Sequence, residues 1–385
     1  MLCICISKSE WVTGIVNFFK SGSKSNDETA KQLLGLLCEY FVVEESKAAH
    51  WLKLDGSEAK LSLPFAMQSQ HSVIESWFHH EWQARYAQKL PVTLLLETAI
   101  PVMHCKNQPI TNVKNIIAIA SGKGGVGKSA TAVNLAFALQ QEGAKVGILD
   151  ADIYGPSVPI MLGNAQQNPT SADNKHMQPI NAHGLVANSI GYLVPAENAT
   201  VWRGPMASRA LSQLVNDTQW PVLDYLLVDM PPGTGDIQLT MAQQVPLTAA
   251  VIVTTPQDLA LADAQKGIAM FEKVDIPVLG LIENMSYFQC KKCGEREYVF
   301  SQEGGQRLAD RHNVPLIGSL PLDISIREHA DSGNPLIIDE PDSPLSQAYI
   351  NAAQILSQQL AFTLPVHSSA KFVVKGDPIA FVAKP

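Results

Sequence analysis

Cysteine, charge and long apolar runs are all scarce in this sequence, and each scarcity excludes a class of protein. Only 6 of the 385 residues are cysteine, too few and too unevenly spaced for a disulfide framework. Charged residues make up 17% of the chain and the formal net charge is -8, which excludes the basic footprint of a nucleic-acid coat protein. No stretch reaches the ~18 uninterrupted apolar residues of a membrane-spanning helix. With 46% hydrophobic residues, the chain is expected to be compact and globular.

The start of the chain is apolar but does not have the pattern of a targeting segment. Lys8 and Glu10 interrupt the apolar run early, and no small-residue cleavage site follows. We therefore expect a cytoplasmic protein with no membrane contact, whose cysteines are thiols or metal ligands. Basic residues do not cluster with aromatic ones, so no nucleic-acid partner is predicted.

The apolar pattern predicts two domains. Segment 105–114 combines polar residues with a proline, and we expect the linker there. Before it, residues 27–104 are predicted to form a small α/β domain, preceded by an extension over residues 1–26. After it, residues 115–365 are predicted to form the main domain, followed by a tail over residues 366–385.

Hydrophobic periodicity predicts the elements of both domains. In the small domain we expect helices over 29–40 and 72–85 and strands over 59–65 and 91–97. In the main domain we expect a helix over 130–141 and buried strands over 116–120, 146–149, 225–228, 250–253 and 278–282. Buried strands that alternate with helices predict an α/β fold with a doubly wound, mostly parallel sheet. The polar stretch 163–188 is expected to be an irregular insertion.

The most informative segment is a glycine-rich loop between a predicted strand and a predicted helix. Residues 122–129 read GKGGVGKS, the G-x-x-x-x-G-K-S pattern of a phosphate-binding loop. Its glycines let consecutive N–H groups converge on phosphate oxygens, and the following helix points its positive end at the same anion. Lys128 is expected to neutralise phosphate charge and Ser129 to bind Mg²⁺. The predicted nucleotide-binding residues of this loop are Gly122, Lys123, Gly124, Gly125, Val126, Gly127, Lys128, Ser129 and Ala130.

Carboxylates follow two of the predicted strands. Asp150 and Asp152 come directly after the run 146–149, and Asp229 follows the run 225–228. Carboxylates at the carboxyl ends of such strands face the ligand crevice of a doubly wound sheet. Asp229 is similar to a Walker B carboxylate that holds Mg²⁺ through water, and a glycine-rich switch follows it.

A cysteine pair provides the second chemical feature. Cys290 and Cys293 form a C-x-x-C-G knuckle between two segments that favour β-structure, so their thiolates can converge on one metal. Tetrahedral zinc or an iron-sulfur cluster normally takes four ligands, and the chain has no second C-x-x-C. A symmetric dimer would supply the four thiolates.

Several motifs in order resemble one family. They are KGGVGKS, LDADIYGPSVP, WRGPM around Arg203, LLVDMPPGTGD, ENMSYF followed by CxxCG, and the pair Gly304-Gly305. Together they resemble the Mrp/ApbC group of iron-sulfur cluster carrier ATPases over residues 116–362. Lys123 gives the loop the form of the deviant Walker A ATPases, to which that group belongs.

The resemblance implies an activity and a role for each matching residue. It implies a homodimer that binds ATP and Mg²⁺, hydrolyses ATP slowly, holds a four-iron, four-sulfur cluster between its subunits on the C-x-x-C pairs, and passes it to apoproteins. Lys123, Lys128 and Asp152 would be the catalytic residues, Lys123 by reaching the partner's nucleotide and Asp152 by orienting the attacking water. Asp150 would support magnesium, and Asn284 would hydrogen-bond the adenine edge.

Two other functions fit part of the sequence. Zinc satisfies the same four thiolates, so a zinc-stabilised positioning ATPase similar to the MinD and ParA proteins is an alternative. The third is an electron-transfer reductase similar to the nitrogenase iron protein, but that relative uses widely separated single cysteines rather than a C-x-x-C. Metal analysis distinguishes the first alternative from a cluster carrier.

Overall fold

The computed structural model describes residues 24–193 and 204–367, and the chain divides into two units between Ala99 and Ile100. This division falls a few residues before the predicted linker. The reason is that residues 100–104 are bonded to the second unit: the N–H of Met103 donates to Asn115 Oδ1 at 3.0 Å, and the N–H of His104 donates to the Pro365 carbonyl at 2.9 Å. Most of the predicted extension and tail, namely residues 1–23 and 368–385, lies outside the described residues.

The first unit is a small α/β fold, as the sequence indicates. Its helices are α1 (Lys24–Phe41), α2 (Glu45–Ala48) and α3 (His71–Tyr86), and its strands are β1 (Leu52–Asp55), β2 (Glu58–Leu63) and β3 (Thr93–Thr98). Strand β2 pairs antiparallel with β1 and parallel with β3. Alternate residues of β2, Ala59, Leu61 and Leu63, are buried while their neighbours are not, which is the pattern of a sheet with one covered face.

The second unit contains most of the secondary structure. Its strands are β4 (Val113–Ala120), β5 (Val146–Asp150), β6 (Ile180–Ala182), β7 (Leu185–Ser189), β8 (Leu223–Asp229), β9 (Ala249–Thr254), β10 (Val278–Glu283), β11 (Phe288–Gln289), β12 (Arg296–Glu297) and β13 (Leu316–Ser319). Its helices are α4 (Lys128–Gln141), α5 (Val158–Met161), α6 (Gly204–Asn216), α7 (Asp236–Gln244), α8 (Asp258–Lys273), α9 (Gly304–His312), α10 (Ile324–Ser332), α11 (Leu336–Asp339) and α12 (Pro344–Thr363).

Eight of these strands form one sheet in the order β13-β10-β9-β4-β8-β5-β7-β6. Every neighbouring pair is parallel except β6 and β7. The central strands are buried along their whole length, as expected when helices cover both faces of a parallel sheet. The predicted doubly wound, mostly parallel sheet is therefore confirmed.

The prediction of an irregular insertion over residues 163–188 was wrong in its second half. Leu185–Ser189 is a fully buried strand that pairs parallel with β5 and extends the sheet, and β6 pairs with it as an antiparallel edge. Its polar residues obscured it, because Asn188 and Ser189 are buried with side-chain partners from distant parts of the chain. Within the described ranges, no helix is long and apolar enough to cross a membrane.

Candidate functional site

The glycine-rich loop connects β4 to α4 at the carboxyl edge of the sheet. Gly125 and Gly127 have φ angles of 81° and 78°, a left-handed conformation that glycine adopts without strain. Within the described part of the chain, none of the N–H groups of residues 123–127 donates to a main-chain carbonyl. The loop therefore presents a row of free N–H groups ahead of a helix N-terminus, which is the arrangement that binds phosphate.

Close contacts hold this loop in place from two sides. A Cβ on Gly122 would lie 2.1 Å from the Asp263 carbonyl oxygen in α8, so only glycine allows this approach. On the other side, the Asn284 side-chain amide donates to the Val126 carbonyl at 2.9 Å. The same amide lies where a Cβ on Gly127 would project, 2.2 Å away. In this structure Asn284 supports the loop, and its predicted contact with adenine stays a prediction.

Lys128 brings together the carboxylates that end β5 and β8. Its Nζ lies 2.6 Å from Asp229 Oδ1 and 3.8 Å from Asp152 Oδ2, and it donates to Ser129 Oγ at 3.3 Å. Asp229 Oδ2 is buried and has no hydrogen-bond partner among the described residues. Burial raises the pKa of Asp152, although the Lys128 ammonium opposes the shift. These side chains form one group of opposite charges beside the loop. Two buried carboxylate oxygens of this group, Asp229 Oδ2 and Asp152 Oδ1, have no hydrogen-bond partner among the described residues and are left for further ligands.

Asp150 lies in the same group but faces the protein. Its Oδ1 accepts from the N–H of Asp152 at 3.1 Å, and its Oδ2 accepts from the N–H of Val158 at 3.2 Å and from Ser189 Oγ at 3.0 Å. Burial, with the nearby Asp229 carboxylate, raises the pKa of Asp150 to about 7. Because both oxygens are occupied by protein donors, Asp150 fits the role of holding residues 151–158 better than the predicted role in supporting magnesium.

The remaining predicted loop residues differ in how far they are exposed, and their contact with a nucleotide stays a prediction. Gly124 and Gly125 are exposed, and a Cβ on either would meet nothing within 4 Å. Lys123 is half-buried and forms no ion pair with any described residue. Ala130 is half-buried in the first turn of α4. Arg203, in the WRGPM motif, lies outside the described residues.

A buried carboxylate that the sequence did not reveal fixes the segment after β10. Glu283, the last residue of β10, is 2% exposed. It accepts from Ser286 Oγ at 2.6 Å and from the N–H of Gly305 at the start of α9. The next residue is Asn284, which contacts the glycine-rich loop. The stretch 283–290 therefore runs directly from the nucleotide loop to the first cysteine of the C-x-x-C pair.

The cysteine pair lies on an exposed hairpin. Strands β11 and β12 pair antiparallel, and the turn between them is closed by the N–H of Gly294, which donates to the Cys290 carbonyl at 2.8 Å. Cys290 and Cys293 are both free thiols, half-buried and exposed respectively. The N–H groups of Cys293 and Lys292, helped by the Cys293 thiol, lower the pKa of the Cys290 thiol. A thiol so placed gives up its proton readily and is suited to bind a metal.

The hairpin offers two thiols, fewer than the four ligands that zinc or an iron-sulfur cluster normally takes. No group of three or more His, Cys, Asp and Glu side chains with metal-binding geometry occurs in the residues that the structure describes. The two other described cysteines, Cys38 and Cys105, are half-buried single thiols. The structure thus brings the phosphate loop, its lysine and its carboxylates together, and it places the thiol pair on a separate hairpin joined to them by the stretch 283–290.

Comparison with known proteins agrees with this geometry. Residues 112–357 match the family model described as ParA: NUBPL iron-transfer P-loop NTPase. The Haemophilus influenzae iron-sulfur cluster carrier protein is 53% identical over 307 residues, which cover 80% of this chain and 83% of that protein. The mouse iron-sulfur cluster transfer protein NUBPL is 47% identical over 257 residues, 66% of this chain and 80% of that protein.

A solved structure is similar to the second unit. It is a nucleotide-binding protein from Archaeoglobus fulgidus in complex with ADP, 37% identical, with a TM-score of 0.53 over 61% of this chain and 91% of that chain. The family match covers well over half of the present chain, including the loop, its carboxylates and the cysteine pair. The chain belongs to the ParA family of P-loop NTPases, in its NUBPL iron-transfer group.

Proposed function

We propose that the protein is an ATP-hydrolysing carrier that holds an iron-sulfur cluster on Cys290 and Cys293 and transfers it to apoproteins. The observation that carries this proposal is the pair of adjacent free thiols on an exposed hairpin, in the same unit as a complete phosphate-binding loop. Relatives named as iron-sulfur cluster carrier proteins support it. They also make the zinc-stabilised positioning ATPase the less supported alternative.

ATP is the proposed nucleotide, and the loop residues supply its contacts. The free N–H groups of residues 123–127 would bind the phosphates, and Lys128 would move from its carboxylate partners to the phosphate oxygens. Ser129 and Asp229 would hold Mg²⁺, which prefers hard oxygen ligands, because the buried Asp229 Oδ2 needs a partner. Mg²⁺ bound there would neutralise charge on the transferred phosphoryl group.

Hydrolysis requires a residue that places the attacking water. Asp152 lies 3.8 Å from Lys128 and is only partly engaged by protein donors, so we assign it this role. Asp150 would act through it, since its carboxylate fixes the Asp152 main chain. Lys123, half-buried and without an ion partner among the described residues, is free to contact a nucleotide in a second subunit.

The cluster is cargo, and two subunits are proposed to share it. The hairpin of each chain offers two thiols, and an iron-sulfur cluster as a whole normally takes four cysteine thiolates from its protein. Four large apolar side chains beside the thiols are 38–58% exposed, an unusual concentration on a soluble surface, and they are Phe288, Tyr298, Val299 and Phe300. Packing of these side chains against a second copy would bring the two hairpins together, so we propose a cytoplasmic homodimer.

The stretch 283–290 is proposed to couple the two sites. Asn284 contacts the phosphate loop directly, and Cys290 follows six residues later. Between them, the N–H of Ser286 donates to the Leu320 carbonyl at 2.8 Å. Because this bond restrains the main chain, a shift of Asn284 is expected to be passed on to Cys290. A nucleotide that moves the loop would therefore displace the hairpin and change how tightly the cluster is held.

Anaerobic reconstitution with iron and sulfide tests this function. The wild-type chain should develop the broad visible absorption of thiolate-to-iron charge transfer and contain iron and sulfide in excess of zinc. The Cys290→Ala/Cys293→Ala double variant should lose this absorption, and the control variant Cys105→Ala should retain it. If the double variant retained the absorption, or if the wild type held only zinc, the cluster assignment would be wrong.

A further inference from the structure

A cleft opens directly beside the first cysteine of the pair. It has a volume of about 460 Å³. One wall is the hairpin with Cys290 and Lys291, and the second contains Asp323, the residue before α10. The third wall is formed by Glu340 in the turn before α12 and by Leu345 in its first turn. The proposed transfer of a cluster does not by itself explain a cleft at this position.

The walls of the cleft are fixed before anything binds. The N–H of Leu322 donates to the Tyr287 carbonyl at 2.7 Å, which ties the hairpin to the second wall. Ser346 Oγ donates to the Glu340 carbonyl at 2.6 Å, which ties the third wall to α12. The N–H of Ser346 in turn donates to Ser343 Oγ at 3.1 Å, capping that helix. Because the main chain on both sides is held, the cleft is a preformed site and not a gap between loose loops.

The charge of the cleft selects its occupant. Lys291 is the one cation among the lining residues, and Asp323 neutralises it at 3.3 Å. Partial burial raises the pKa of Asp323. This is outweighed by the N–H and hydroxyl of Ser325 and by the Lys291 ammonium, which hold that pKa below its usual range. The Glu340 carboxylate, 49% exposed, has no lysine or arginine partner among the described residues; the group that faces it is the His329 ring, whose Nε2 lies 3.6 Å from Glu340 Oε1. Asp339 and Asp342 are exposed and lie within two residues of Glu340 in the chain, and Asp339 Oδ2 lies 3.5 Å from Nδ1 of the same His329 ring. Three carboxylates against one histidine make this side of the cleft acidic.

We propose that this cleft receives a basic, cysteine-bearing segment of the protein that accepts the cluster. The inference rests on the proposed carrier function and names the chemistry of its partner. An acceptor thiol in the cleft lies next to the iron ligand that must leave, so no large movement separates docking from exchange. In the exchange, a bond forms between iron and the acceptor sulfur, and the bond between iron and Cys290 Sγ breaks. The acceptor thiol loses one proton, the Cys290 sulfur gains one, and no electron is transferred.

A second copy of the chain is the weaker occupant on chemical grounds. The exposed apolar side chains proposed for the subunit contact, such as Phe288 and Val299, do not line the cleft. The cleft is lined instead by polar and charged residues such as Gln289, Lys291 and Glu340, together with a few apolar ones such as Leu345. Two copies of one acidic opening would also repel each other, whereas a basic segment is attracted.

Peptide binding to the cluster-free full-length chain tests the proposal. The probe is a fluorescein-labelled 12-residue peptide in which two serines stand in place of cysteines and lysines flank the serines. In the counterpart peptide, glutamates replace these lysines. The lysine peptide should bind and the glutamate peptide should not. Glu340→Lys should weaken binding about tenfold or more, because an attraction becomes a repulsion. Asp310→Lys, on α9 outside the cleft, changes the net charge equally and should leave the affinity unchanged.

Three other outcomes would overturn the proposal. Equal weakening by both substitutions would show a general charge effect, and equal binding of both peptides would show no selection. Loss of the dimer in Glu340→Lys by light scattering would assign the cleft to the second copy. Glu340→Gln, which removes only the charge, supplies the same comparison if the lysine variant does not fold. Because binding is measured without a cluster, a chain that holds zinc but still selects the lysine peptide would contradict only the carrier function.

Discussion

Replacement by alanine should destabilise the phosphate loop at Gly122 and at Gly125 but not at Gly124. A Cβ on Gly122 would lie 2.1 Å from the Asp263 carbonyl oxygen, while ordinary contacts begin near 3.4 Å, so the loop or α8 must shift by about 1 Å. Overpacking of this kind costs ~1–3 kcal/mol. Gly125→Ala meets no atom within 4 Å but has a φ of 81°, which costs ~1–2 kcal/mol. Gly124→Ala has neither problem and should cost close to nothing.

The assay is urea unfolding of the nucleotide-free chain, followed by hydrogen exchange of peptides from β4 and α4. These peptides report the second unit alone, so unfolding of the first unit does not enter the measurement. The free energy of unfolding should fall in Gly122→Ala and Gly125→Ala and stay near the wild-type value in Gly124→Ala. If Gly124→Ala were as destabilised as Gly122→Ala, the contact of the loop with α8 would not hold the loop as described.

Three further predictions concern charge and coupling. Asp229→Asn should lower the rate of phosphate release from ATP at least ~100-fold, because the variant lacks the carboxylate proposed to hold Mg²⁺. If the variant no longer bound ATP at all, the result would instead indicate misfolding. Asp224→Asn breaks a largely buried ion pair with Lys114 and should lower the free energy of unfolding by ~2 kcal/mol. Asp275→Asn breaks an exposed ion pair with Lys106 and should change the free energy of unfolding by less than ~0.5 kcal/mol. Asn284→Ala should leave the cluster content intact but abolish any effect of ATP on the rate at which a chelator removes the cluster. An unchanged effect of ATP would refute the proposed coupling of the phosphate loop to the hairpin.

The fold was predictable wherever local pattern and burial coincide. Strand β8 is an apolar run that ends in aspartate, and the sequence identifies both the strand and the carboxylate at the sheet edge. Strand β7 was missed because two of its five residues are polar. Asn188 donates to Thr218 and Ser189 to Asp150, and neither partner can be deduced from neighbouring residues.

The site shows the same division between local and distant information. The glycine-rich loop is contiguous, so its lysine, serine and glycines were identified together. The role of Asp150 depends on what its oxygens contact, and two of those donors, Val158 and Ser189, are 8 and 39 residues away. Glu283 gave no indication in the sequence, because a single glutamate at the end of a strand is ordinarily a surface residue. Its burial follows from the approach of Gly305, which only the folded chain provides.

Transfer itself is the most direct test of the central claim. The chain is loaded with a cluster anaerobically and mixed with an apo-ferredoxin in the presence of an iron chelator. The ferredoxin is then separated, and its visible spectrum is recorded. The wild-type chain should deliver an intact cluster despite the chelator, and the Cys290→Ala/Cys293→Ala variant treated identically should deliver none. Equal delivery by both chains, or delivery that the chelator abolishes, would contradict a carrier that holds its cluster on these two thiols.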